Sequence, residues 1–166
     1  NGYLEPLSAR AQLVRNSKTM SDWAVSGITN VSDTNLKDID GQAGARKFTP
    51  GTTSSVHRTD SPLYNAAVSA TGYVYSVFAK ANGYGIISFE IMNGTTHVGY
   101  ASFDLNRGVV LYSEPGITPR IQQMPNGWYR LIIGWAATPS AAFTTQMKLY
   151  VSDPSTGDGT NAGGNP

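Results

Sequence analysis

The feature that most limits what this chain can become is a string of short runs in which apolar and polar residues alternate. Each run is closed by a glycine or asparagine turn. Gly72 to Lys80 is one such run, and Asn82-Gly83 follows it. Gly85 to Met92 is the next, closed by Asn93-Gly94, and His97 to Leu105 is a third, closed by Asn106-Arg107-Gly108 before Val109 to Tyr112. A period of two is the signature of a strand, and Asn-Gly is a strong hairpin turn. After a stretch holding Pro115 and Pro119, Ile121–Met124 and Trp128–Ala136 form a further pair around Pro125-Asn126-Gly127, and Gln146–Val151 is the last strand. Arg46–Thr49 and Thr52–Arg58 are strand candidates nearer the start, separated by the turn dipeptide Pro50-Gly51. Residues 1–20 are ambiguous between a short helix and an extended arm; elsewhere no helical period is found. Evenly spaced strands with Gly and Asn turns predict an all-β fold of antiparallel strands, a two-sheet β-sandwich of the jelly-roll kind.

Alternation also sorts the side chains. One face carries Tyr75, Val77 and Ala79, then Ile87, Phe89 and Ile91, then Ala101, Phe103 and Leu105, then Tyr129, Leu131, Ile133 and Trp135. This set is the predicted core, each large side chain contributing about 1.5–3 kcal/mol on burial. The opposite set mixes Ser76, Phe78, Lys80, Ser88, Glu90, Tyr100, Ser102, Asp104, Trp128 and Arg130. Aromatic rings beside carboxylates, hydroxyls and a guanidinium suit a sugar, whose apolar face stacks on Tyr or Trp while its hydroxyls need paired donors and acceptors. The candidate glycan contacts are therefore Trp128, Arg130, Tyr100, Glu90 and Asp104, taken as one sheet face built from three strands. Each has a plainer reading as well. Trp128 covers a sheet edge, and Arg130 pairs with Glu90 or Asp104 as a surface ion pair. The loops around Tyr84, His97 and Tyr112 are the next candidates.

Composition excludes several classes. The 166 residues suffice for one domain with a full core, and the net charge of +1 offers no broad basic field for nucleic acid or an anionic membrane. Charged residues make up only 14% of the chain, so the surface rests on Gly, Ser, Thr and Asn, as in a turn-rich β protein. The absence of cysteine removes disulfides, thiolate catalysis and cysteine-type zinc sites, and leans towards a prokaryotic or viral origin. No apolar run approaches the roughly 20 residues of a membrane helix. Asn1-Gly2-Tyr3 is neither an initiator methionine nor a leader, so a piece of a longer protein is expected.

No catalytic constellation emerges, and the chain is read as a non-enzyme. Glycosidases set two carboxylates about 5–10 Å apart across the scissile bond. Glu90 and Asp104 share a face, but no strand carries closely alternating acids. His57, Arg58 and Tyr64 have the residue types of a polysaccharide lyase without its strand pattern, and His97 reads as a surface residue near a turn. No phosphate-cradling loop occurs. No cofactor is expected. Asp33, Asp38, Asp40, Asp153 and Asp158 fall in loops, where aspartate either holds a structural calcium ion or forms turns, and the metal question stays open.

Several segments together resemble one family. Asn16-Ser17-Lys18 followed by Trp23 resembles its opening. GYVYSVFAKA (72–81) is similar to its central strand, ASFDLNRG (101–108) to its F-D-L-x-x-G hairpin, and NGWYRL (126–131) to its N-G-W-Y-R strand. Gly157-Asp158-Gly159-Thr160 resembles the loop before its final strand. In order and spacing these segments resemble the carbohydrate-binding-module-like, concanavalin-like jelly rolls of bacteriophage tail fibres, tailspikes and virion proteins. The family's closing strand, with an aromatic and G-x-Q, is not found before Asn165-Pro166: it is missing, lies further along a longer protein, or is replaced by another segment, and residues 1–15 or a neighbouring chain could pair at that edge. The resemblance implies residues 1–15 as an arm or linker, 16–160 as the jelly-roll domain and 161–166 as a tail. It implies a non-catalytic domain on the virion surface, outside the cell, that binds host or environmental glycans. The alternative is a purely structural virion domain, a capsid decoration or fibre-assembly element. Expected partners are a glycan and other virion subunits, in a homo-oligomer with the trimer of phage fibres as the guess. Nucleic acid and membrane insertion are not expected.

Overall fold

A computed structural model describes residues 20, 22–32, 35–52, 56–66, 72–135 and 143–152. Among the described residues twelve strands run in the order β1 (Ala24–Ser26), β2 (Ile28–Ser32), β3 (Arg46–Pro50), β4 (Arg58–Asp60), β5 (Tyr64–Ala66), β6 (Tyr73–Ala79), β7 (Ile86–Asn93), β8 (Thr96–Asp104), β9 (Val109–Ser113), β10 (Ile117–Gln123), β11 (Tyr129–Trp135) and β12 (Phe143–Ser152). All pairings are antiparallel. A seven-stranded sheet has the order β1-β4-β12-β7-β8-β9, with β5 beside β12. A three-stranded sheet has the order β10-β11-β6, and β2 and β3 form a separate ribbon.

The two larger sheets pack face to face, giving the expected all-β sandwich. Tyr75, Leu131 and Ile133 of the small sheet share one buried cluster with Phe89, Ile91, Ala101, Phe103, Met147 and Leu149 of the large one. Phe89, Ile91, Ala101, Phe103, Leu131 and Ile133 are fully buried, while Val77, Ile87, Tyr129 and Trp135 pack partly buried around them. All of the predicted core residues lie in this cluster or against it, and the cluster also takes in Met20, Trp23, Ile117, Met147 and Leu149, which the prediction did not include. One polar chain crosses it. The Tyr75 hydroxyl lies 2.8 Å from Thr145 Oγ1, which donates to the Met92 carbonyl at 2.8 Å. Burial drives the Tyr75 hydroxyl pKa up, and its bond to Thr145 only partly offsets this.

Two boundaries differ from expectation. The strand expected at Thr52–Arg58 starts only at Arg58, and residues 53–55 lie outside the described residues. The strand expected at Ile121–Met124 begins instead at Ile117 and runs through Pro119. A proline is tolerated there because β10 is an edge strand, where a missing N–H costs no central ladder bond. The opening motif Asn16–Lys18, the loop 157–160, Asp33, Asp153, Asp158 and the expected domain boundaries all lie outside the described residues.

The family-like segments account for specific turns. In the 101–108 hairpin, Asp104 Oδ1 accepts the Asn106 and Arg107 amides at 2.8 and 3.1 Å, and Gly108 donates to the Asp104 carbonyl at 2.8 Å. Gly108 has φ +68°, and a Cβ there would stand 2.9 Å from the Tyr129 hydroxyl, so both backbone and space call for glycine. In the Asn-Gly-Trp segment, Asn126 and Gly127 take φ 60° and 76° in succession, the primed-turn geometry that Asn-Gly favours. Trp128 donates back to the Pro125 carbonyl at 3.2 Å.

Candidate functional site

The large sheet's outer face is built from β4, β12, β7, β8 and β9, and cross-strand register puts its side chains in rows. One row reads Asp60–Lys148–Glu90–Tyr100 and the next Arg58–Tyr150–Ser88–Ser102–Tyr112. Strict alternation would turn His97 inward with Gly99 and Ala101. A β-bulge at Ile91/Met92 leaves Val98 extra, so His97 pairs with Met92 and joins the outer set. A second bulge, at Ser102/Phe103, leaves Leu111 extra and brings Tyr112 opposite Ser102, again outward. Two register breaks thus add an imidazole and an aromatic ring to this face.

The result is a continuous polar string beside an aromatic pair. His97 Nδ1 lies 2.7 Å from Glu90 Oε1 and its Nε2 2.6 Å from Glu114 Oε2. The Tyr150 hydroxyl donates to Glu90 Oε2 at 2.5 Å, and the Tyr100 amide donates to Glu114 Oε2 at 3.3 Å. Tyr100 and Tyr112 rings sit 5.2 Å apart at 34°, and His97 stands 6.1 Å from Tyr100. Tyr112 is 37% exposed. On the other flank Arg58 lies over the Tyr150 ring, 5.9 Å from its centroid, and pairs with Asp60 at 2.9 Å. Beneath the rings, Ser88 and Ser102 are fully buried and satisfy each other at 2.8 Å.

The electrostatics follow from these contacts. Partial burial pulls the His97 pKa down, but its bonds to Glu90 and Glu114 and their charges outweigh that and hold it above its ordinary value. Burial, reinforced by the Glu90 carboxylate, pushes the Tyr150 phenol well above its usual range, so it stays a neutral donor. Asp104 is also raised by burial, yet its bonds from Arg107 and Asn106 bring it below the ordinary carboxylate value.

The five expected contacts do not form one site. Glu90 and Tyr100 are cross-strand neighbours on the face just described. Asp104 is spent on the β8–β9 turn and on Arg107. Arg130 belongs to the small sheet, and Trp128 stands just before its strand β11; the outer surface of that sheet faces away from the large one. The expected ion pair of Arg130 with Glu90 or Asp104 is accordingly not formed. Arg130 instead lies over the Phe78 ring and reaches Ser76 Oγ at 3.4 Å. Alternation separates inner from outer, but each sheet of a sandwich has its own outer face. Trp128 and Arg130 line a cleft of about 700 Å³ between β6 and β3, whose walls include Trp23, Phe48, Ile87 and Met147. This mainly apolar lining suits a sugar less well than the polar string does.

The remaining candidates are quickly placed. His57 is fully buried, on the opposite side of β4 from Arg58, and Tyr64 is buried with its hydroxyl driven up to about 12 by desolvation. Asp38 Oδ1 accepts the Asp40 and Gln42 amides at 3.0 and 2.9 Å and so shapes its loop. Among the described residues no group of three or more His, Cys, Asp or Glu converges to hold a metal ion. His97 directs its two nitrogens at separate carboxylates, a geometry for protons and not for a shared cation. Glu114 and Tyr150 are site residues that the sequence reading missed, and Arg58, weighed there only as a lyase residue type, joins them. Extending the alternation to β4 and β12 would have marked Arg58 and Tyr150 as outward, but not as neighbours of Glu90.

No protein-family model matches the chain, and no curated protein matches it.

Proposed function

We propose that this is a non-catalytic glycan-binding domain of a virion surface protein, and that the sugar lies on the outer face of the large sheet. The observation that carries the reading is the Tyr100–Tyr112 ring pair flanked by the Glu90–His97–Glu114 string. A pyranose stacks on exposed Tyr112 with its ring edge at Glu114, whose carboxylate accepts from the sugar hydroxyls. Arg58, Lys148 and protonated His97 balance Asp60, Glu90 and Glu114 on this face, which favours a neutral glycan over an anionic one. The virion setting rests on the jelly-roll resemblance of the 72–81, 101–108 and 126–131 segments.

The test is affinity electrophoresis through gels containing neutral or uronate-rich polysaccharides. Retardation by a neutral polymer, weakened by about 1–3 kcal/mol in Tyr112→Ala and unchanged in Trp128→Ala, is the expected result. Retardation lost in Trp128→Ala and kept in Tyr112→Ala moves the site to the small sheet.

A second reading, a structural virion domain, is favoured by the small sheet's outer face, where Val74 and Phe78 are 68% and 43% exposed. Apolar groups of this kind suit a subunit contact in a homo-oligomer such as a trimer. Phe78→Ser would then weaken self-association in light scattering while leaving gel retardation intact.

A further inference from the structure

We propose that His97 is a positioning residue for the sugar site and acts only as the imidazolium, so that glycan binding by this face is coupled to the uptake of one proton. The inference rests on the sugar site proposed above and adds its regulation.

The geometry fixes the proton count. Carboxylate oxygens accept and do not donate, so each of the contacts at 2.7 and 2.6 Å needs an N–H from the ring. Neutral imidazole has one N–H, and only the imidazolium has one on each nitrogen. Loss of the proton turns a lone pair towards a carboxylate, and one of the two contacts opens. Glu90 has a second holder, the Tyr150 hydroxyl, and its side chain is only 13% exposed. Glu114 is 27% exposed, sits on the turn leading into β10, and among the described residues otherwise accepts only the longer bond from the Tyr100 amide. Glu114 is thus the group released, and with it the end of β9 that carries Tyr112 two residues earlier. The charged and titratable groups facing His97 are Glu90 from β7, Glu114 from the β9–β10 turn, Tyr100 from β8, Tyr112 from β9, then one strand beyond β7 Tyr150 and Lys148 from β12, and two strands beyond it Arg58 and Asp60 from β4. Deprotonation also shifts this balanced face to a net negative charge beside the sugar's electron-rich oxygens.

Two measurements test this. In a nitrogen-15 NMR titration of the whole domain, His97 is expected to lose its second ring proton above the ordinary 6.5, with the Glu114 amide and Tyr112 ring signals moving at the same midpoint. A midpoint at or below 6.5, or Tyr112 and Glu114 signals that ignore it, overturns the proposal. The second measurement is retardation by amylose, dextran and galactan gels. Affinity is expected to fall by about fivefold or more from about pH 5.5 to about pH 8.5. His97→Gln should be weak at both pH values, and His97→Lys, permanently cationic, should lose the pH dependence while keeping binding at the higher pH. Both changes fall on a side chain that is 45% exposed and outside the core. Wild-type binding that is equal at both pH values sinks the proton coupling alone. Absence of binding to all three polymers at both pH values removes the sugar site, and the coupling with it.

Discussion

The Tyr75–Thr145 contact makes a stability prediction with a direction that can fail. Thr145 Oγ1 donates its one proton to the Met92 carbonyl, so in the 2.8 Å contact with Tyr75 the phenol is the donor. Tyr75→Phe removes a donor and leaves Thr145 still bonded to Met92. The loss is one net hydrogen bond, about 0.5–1.5 kcal/mol. Thr145→Val keeps the shape but leaves the buried phenol with no acceptor at this position, and the desolvation penalty of an orphaned hydroxyl is about 1–3 kcal/mol. The double change replaces both partners by apolar groups of like shape, so its cost should fall well below the sum of the singles. For a chain of 166 residues, each kcal/mol lowers Tm by roughly 2–4 °C. Urea unfolding with unchanged slope is the assay. Tyr75→Phe costing more than Thr145→Val, or additive singles, would refute the assigned donor direction and the idea that this chain pins the two sheets together.

Other outcomes follow from the same contacts. Phe103→Ala, at a fully buried site shared by both sheets, should cost about 3–5 kcal/mol in urea unfolding. His97 has a folded pKa above 6.5, so its stabilising contribution is complete below pH 6.5 and is lost as pH rises through the folded value; His97→Gln should flatten the melting curve in that window. Asp104 runs the other way. Its folded pKa is depressed, so its contribution is present above the ordinary 3.8 and lost as pH falls through the folded value, and Asp104→Asn should remove that acid-side slope. Gly108→Ala should destabilise through both the positive φ and the contact with Tyr129, read as a lower Tm.

Alternation determined the inward set of the central strands, though not Met20, Trp23, Ile117, Met147 and Leu149, which join the same core. Residues such as Phe89, Phe103, Leu131 and Ile133 could be assigned inward because a strand's period of two holds wherever the strand is regular. The turns were legible for a similar local reason: Asn126-Gly127 and Gly108 meet conformational demands that few other residues satisfy. Glu90 and Tyr100 were recognisable as outward-facing for the same cause.

Tertiary structure decided which outward residues are neighbours. The inner or outer sense of a side chain is a property of its own strand, whereas its partners depend on pairing across long stretches of chain. β12 inserts between β4 and β7, which brings Tyr150 to Glu90 across 60 residues, and β11 joins β6 in the other sheet, which carries Trp128 and Arg130 away. The bulges at Val98 and Leu111 are decided by the same pairing, since an extra residue exists only relative to a partner strand. His97 and Tyr112 therefore carried no signal in the alternation, although without them the face has neither its charge bridge nor its exposed ring.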